Sequence, residues 1–198
     1  MKMASALALG LTLAGCTVFP VPEPPRFMDL ASADTVPAFS QTLPASLRVD
    51  TPLASDPLDS SSILIKPSAY EYQAISGARW RESMPVVIRD HLIQAFRASG
   101  GFANVMTDTS PATSELTLIS ELSGFHAEDG ANGTRVVINL HLQLMDNRTR
   151  RSLCVTNYQA RTDAGSARLE DLMQAFSHAA EEATSATMSW AHRCMAEA

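Results

Sequence analysis

The chain has 198 residues, with 15 Lys and Arg against 21 Asp and Glu and a formal charge of −6, which gives one domain or at most two small ones. Apolar residues make up 45%, enough for a packed core, yet no stretch reaches the roughly 18–20 uninterrupted apolar residues that span a bilayer as a helix. Charged residues are 18% with no basic run, so DNA and RNA partners are disfavoured, because neutralising phosphates needs clustered Lys and Arg.

Met1-Lys2-Met3 supplies one positive charge, residues 4–14 are apolar or small, and Gly15-Cys16 ends the run. A charged start, about a dozen apolar residues and a small-residue stop have the order of a secretory signal. The alternative, a buried helix of the folded domain, has nothing to pack within between Gly10, Gly15 and the prolines at 20, 22, 24 and 25. The ending Leu13-Ala14-Gly15-Cys16 resembles the lipobox of bacterial lipoproteins. That resemblance implies a cut after residue 15 and acylation of the Cys16 thiol. Each buried CH₂ is worth about 0.8 kcal/mol and one chain holds a protein only reversibly; the three chains that such a cysteine usually carries make release negligible. Thr17 stands where lipoproteins retained at the inner membrane often have Asp, so the resemblance points to the periplasmic face of the outer membrane. Removing residues 1–15 takes away Lys2 and no acid, leaving a formal charge of −7, mildly repelled by anionic lipid.

Eight of the eleven prolines fall between Pro20 and Pro57. From residue 17 to residue 44 there is no sustained period of 2 or 3.6, so residues 16–44 read as an acylated cysteine with an extended, Pro-rich spacer. Fully drawn out it reaches about 90 Å. Phe19, Phe27, Met28 and Leu30 are more apolar than a linker requires, which allows part of it to lie on the domain.

Residues 45–198 read as one globular domain. Leu47-Arg48-Val49, Ile63-Leu64-Ile65 and Tyr70-Glu71-Tyr72-Gln73-Ala74-Ile75 are strand-like runs set off by prolines. Ser83 opens a helix with Pro85 in its first turn; Ile88, Leu92, Ala95 and Phe96 follow at helical spacing and Gly100 closes it. Asn104-Val105-Met106 is a short strand. Leu116, Leu118 and Leu122 share one parity. Val136, Ile138, Leu140, Leu142 and Leu144 share another, and after a turn at Asp146-Asn147 residues 153–161 complete an antiparallel meander with one buried face. Residues 167–192 form a long helix with Leu169, Leu172, Met173, Phe176, Ala180, Ala183, Thr187 and Trp190 on one stripe. The expected fold is α+β: a mixed, largely antiparallel sheet with a C-terminal meander, covered on one face by two long amphipathic helices.

With Cys16 acylated, Cys154 and Cys194 remain, an even number in an oxidising compartment. The strand from Cys154 runs about 25 Å, and the last helix returns over about 40 Å, which brings Cys194 back to or past its start. A bridge between them and two separate thiols, one a small buried hydrophobe, are both open readings at this stage.

The five histidines, at 91, 126, 141, 178 and 192, include no i, i+4 pair, and no C-x-x-C is present, so no metal site is assigned. Glu128-Asp129-Gly130-Ala131-Asn132-Gly133 lacks a completing acidic ligand for calcium and reads as a turn. Glu170-Asp171 and Glu181-Glu182 read as the solvated face of a helix, Ser60-Ser61-Ser62 has no G-x-S-x-G context, and Ser99-Gly100-Gly101 is a helix stop rather than a phosphate loop. No catalytic residue and no cofactor is assigned.

One region does more than set a fold: Ala78-Arg79-Trp80-Arg81-Glu82, Met84-Pro85, and the helix ending Ala95-Phe96-Arg97-Ala98-Ser99-Gly100-Gly101-Phe102. These, with the strands at Leu47 and Ser61 and with Lys66 after the second, resemble the ABC-type transport auxiliary lipoproteins, which accompany transporters of the mammalian-cell-entry class, including the paraquat-inducible intermembrane system. The spacer is longer and richer in proline than that family's. The resemblance implies a non-catalytic outer-membrane lipoprotein that docks a mammalian-cell-entry-domain protein, alone or as a homo-oligomer, while other chains supply ATPase and permease. A different class, an envelope-integrity or outer-membrane assembly lipoprotein without a transporter, fits the same sequence. Trp80 has two readings, an anchor for a partner or a filler between the first helix and the sheet, of which the filler is preferred. Arg79 and Arg81 are expected to be exposed and to meet an acidic partner.

Overall fold

The computed structural model describes residues 23–32, 36, 38–130 and 133–196; the signal-like run and Cys16 lie outside them. The elements follow in the order β1 (Arg26–Met28), β2 (Leu43–Val49), β3 (Ser62–Ser68), β4 (Glu71–Trp80), α1 (Met84–Ser99), β5 (Phe102–Thr107), β6 (Leu116–Gly130), β7 (Gly133–Asp146), β8 (Arg151–Asp163) and α2 (Leu169–Ala196).

Strand β6 is the axis of the sheet. One of its edges carries β7 antiparallel along its full length, from Leu116 opposite Asp146 to Gly130 opposite Gly133. Its other edge is shared by two strands, both parallel to it: β2 at Leu116 to Leu118, and β3 at Ala127 and Glu128. Outward from these, β5 adds to β2 in parallel, β4 to β3 antiparallel, β1 to β4 in parallel, and β8 to β7 antiparallel. The result is α+β with a curled, mixed eight-stranded sheet.

The meander of β6, β7 and β8 is present, but "largely antiparallel" does not describe the whole sheet, since its β1–β4, β2–β5, β2–β6 and β3–β6 joints are all parallel. Alternating apolar residues tell which face of a strand is buried; they carry no information on the direction of its neighbour. The single buried face is also local. A β-bulge between Leu122 and Gly124 shifts the parity of β6, which keeps Phe125 and Ala127 facing the core, and His126 between them is buried from the other side.

Both helices pack on the same side, α2 against β7 and β8 and α1 against β5 and β2, and they touch each other. Of the two, only α2, with 28 residues, is long; α1 has 16. Ser83 precedes α1 in extended conformation, Pro85 occupies its first turn where no N–H partner is needed, and Gly100 ends it at φ 64°. Along α2, Leu172, Phe176 and Met188 are fully buried, each contributing roughly 1.5–3 kcal/mol. Ala179, Ala180 and Ala183 between them, and Ala191 beyond, let the helix lie close to the strands.

Candidate functional site

The Arg79-Trp80-Arg81 triplet closes β4. Alternation along the strand turns Ala78 and Trp80 inward and leaves Arg79 outside. Trp80 is 0% exposed. Its ring centroid lies 5.3 Å from those of both Phe125 on β6 and Phe176 on α2, and these two are 5.1 Å apart. The three rings form the centre of the core, so Trp80 has no surface to offer a partner, and its ring neighbours belong to β6 and α2 rather than to the first helix. Its Nε1–H has no acceptor among the described residues.

Arg79 is exposed, with its guanidinium 4.5 Å over the Phe27 ring of β1. Arg81 is not free for an outside carboxylate: Nε donates to Asp29 (2.7 Å) and a terminal nitrogen to Asp90 (2.8 Å). The chain of charges continues, because Arg89 donates to Asp90 (2.9 Å), to Asp108 (3.4 Å) and to the Thr51 hydroxyl (2.8 Å). Burial raises the Asp90 carboxyl, but hydrogen bonds from Arg81 and Arg89 outweigh it and hold the group below the usual carboxylate range. Asp108 behaves alike, with burial opposed by the Thr51 hydroxyl and amide and by Arg89. These groups tie β1, β4, α1 and the end of β5 together, and the network is satisfied from within.

Upstream of β2 the described residues 23–32 and 38–42 form a strap, held against α2 near its start, midway and near its end. Arg26 pairs with Glu170 at 2.8 Å, the Ala31 amide donates to Ser177 Oγ at 3.0 Å, and the Phe39 ring stacks on His192 at 4.1 Å. His192 Nε2 donates to the Gln41 carbonyl, and the Phe39 amide to the Ser99 carbonyl. A Cβ on Gly101 would fall 2.6 Å from the Phe39 ring, so the backbone at Gly101 is bare where the strap crosses it. The exposed Arg26–Glu170 pair is worth little by itself; β1's ladder to β4 and the Phe39 stack do more. The apolar surplus at Phe27, Met28 and Leu30 thus belongs to the domain surface. Phe19 and Cys16 lie outside the described residues.

Among the described residues no three His, Cys, Asp or Glu side chains are placed to hold a metal ion, and no helix is long and apolar enough to cross a membrane. Ser60 Oγ donates to the Pro57 carbonyl. Tyr158 donates to Glu182 at 3.1 Å, and burial together with that carboxylate pushes its hydroxyl up to about 12. Cys154, early in β8, and Cys194, in the last turn of α2, are joined by a disulfide with Cα atoms 6.2 Å apart, closing 40 residues.

His141 meets Asn157 at 2.8 Å, whereas His91 and His126 are buried. Burial pushes both of these imidazoles below their ordinary value. Glu181 and Asp29 oppose the effect at His91; the hydrogen bond and charge of Glu128 oppose it at His126, with Lys66 acting the other way. His91 Nε2 and His126 Nδ1 find no partner among the described residues. An unfolded chain therefore binds more protons than the folded one just below the ordinary histidine value of about 6.5. Stability contributed by these groups is full above that pH and is lost as pH falls through and below it. Urea midpoints are expected to drop between about pH 7 and pH 5, and His126→Gln to flatten the slope; a midpoint constant over that window would refute the assignment.

The sequence profile of ABC-type transport auxiliary lipoprotein components matches residues 29–186. Among solved structures the chain is similar to protein XCC0632 from Xanthomonas campestris, of the DUF330 family, at 20% identity and TM-score 0.74, covering 88% of this chain and 96% of that one. It is also similar to an uncharacterised protein at 14% identity and TM-score 0.66, covering 84% and 98%. At these identities both likenesses concern the fold. No curated protein matches the sequence.

Proposed function

Because the chain belongs to the family of ABC-type transport auxiliary lipoprotein components, we propose that it is a non-catalytic periplasmic component of a mammalian-cell-entry intermembrane lipid transporter. In this reading residues 1–15 are removed, Cys16 carries the acyl chains, and the domain is held at the periplasmic face of the outer membrane, where it docks the mammalian-cell-entry-domain protein. The observation that carries the reading is the family match over 29–186, which takes in nearly the whole folded domain. Strand β8 pairs only with β7 among the described residues, and an open edge of this length supports association of copies side by side.

Cross-linking of intact envelopes followed by capture of the acylated chain tests the proposal. Recovery of a mammalian-cell-entry subunit is the expected result, and its loss on replacing Cys16 by Ala shows that the anchor places the domain. Repeated recovery of outer-membrane assembly proteins without any such subunit would reject the transport role.

A further inference from the structure

The direction of β1 gives the end of β4 from which the chain enters the domain. Strand β1 runs parallel to β4 with Arg26 level with Ala78, so the chain enters β1 from the Glu71 side. At that end lie the β3–β4 hairpin and the turn between β6 and β7, because β4 is antiparallel to β3 and β3 parallel to β6. From Ala78 to Glu71 is about 23 Å along the strand. Ten residues separate Cys16 from Arg26, and they reach no farther than about 35 Å. Even fully drawn out along the strand direction, the acylated residue therefore passes the hairpin by only about 12 Å. Any less extended path keeps the acylated residue closer to Arg26 than that limit.

The tip of that hairpin carries Tyr70, which is 99% exposed. Ala69 and Tyr70 form the turn between Ser68 and Glu71, which pair across the strands. Two-residue hairpin turns favour Gly, Asn and Asp for their backbone freedom, so turn chemistry gives no reason for an aromatic ring there, and a fully exposed ring adds nothing to the core. A tyrosine has an apolar body and a polar tip, the combination enriched at membrane–water interfaces. We propose that the Tyr70 hairpin tip rests at the headgroup boundary of the bilayer that holds the acyl chains of Cys16. The proposal relies on the acylation of Cys16 given above. The surrounding charges are mixed: Lys66, Glu128 and Asp129 lie with Ala69 beside the hairpin and Arg135 pairs across from Glu128, so the contact rests on the ring and not on attraction to anionic headgroups. It should persist in zwitterionic lipid and at high salt.

The test uses the acylated mature chain in phosphatidylcholine vesicles containing a lipid-borne quencher. With Cys16 acylated and Cys154 bridged to Cys194, a single introduced thiol takes an environment-sensitive fluorophore. Ala69→Cys places it beside Tyr70, and Arg148→Cys places it in the β7–β8 turn at the opposite end of β7. Several-fold stronger quenching at 69 than at 148, reduced when Tyr70→Ser is added to the Ala69→Cys background, is the expected result. Flotation of the chain with the vesicles while position 69 is no more quenched than 148, or is unaffected by Tyr70→Ser, would overturn the hairpin contact and leave the anchor standing. Failure of the chain to acquire acyl groups or to float would overturn both.

Discussion

Replacing Trp80 by alanine is expected to destabilise the domain by about 3–5 kcal/mol, the range for deleting a fully buried large aromatic. The side chain touches Phe125 and Phe176, so its loss opens a cavity between β4, β6 and α2 at the point where the three rings meet. Trp80→Phe should cost much less, because it keeps most of the ring area and removes an indole N–H that has no acceptor among the described residues, a burial that itself costs about 1–3 kcal/mol. Arg79→Ala, at an exposed contact with Phe27, should barely move stability. Urea unfolding of the mature chain followed by far-ultraviolet dichroism orders the three variants. If Trp80→Ala kept the wild-type midpoint and abolished partner capture instead, Trp80 would be a docking residue and the packing account would be wrong.

The same triplet shows what was legible in the sequence. The limits of α1 were readable because Ser83, Pro85 and Gly100 act through their own backbone preferences, with no help from the rest of the chain. All three strands of the meander were readable, and in β6 the pattern held as far as Leu122, where simple alternation ends. At the Leu122/Gly124 bulge the parity changes, so Phe125, one of the three central rings, stood off the pattern. Tyr70 read as the start of a strand, since turn and strand differ there by one residue; its exposure depends on where β3 and β4 pair. The strap was hidden for another reason. Its three-residue strand is too short to alternate, its composition is that of a spacer, and its holding contacts join Arg26 to Glu170 and Phe39 to His192, residues that only the topology brings together. Likewise Asp90 sits beside Arg89 in the chain, but Asp29 and Asp108 reach the same arginines through tertiary pairing, so Arg81 looked free for an acidic partner.

Opening the Cys154–Cys194 bridge is the second large effect to be expected. The bridge spans 40 residues and fastens the end of α2 to the start of β8; closing a loop of that length lowers the entropy of the unfolded chain by an amount worth about 3–4 kcal/mol. Without it, α2 still buries Leu172, Phe176 and Met188, but beyond Met188 its core contacts are made by Ala191, Cys194 and the half-buried Trp190 and Met195, and its hold on the strap by His192. The double variant Cys154→Ser, Cys194→Ser should therefore melt on the order of 10 °C lower. It should also show faster amide exchange in the last turns of α2 and around Phe39 than in β6 and β7, because loss of the bridge frees that end of the helix first. Mass measurement of the native chain after alkylation without reductant should find neither Cys154 nor Cys194 labelled. Labelling of both cysteines under those conditions would mean that the bridge is not formed in the mature protein, and the double variant would then melt with the wild type.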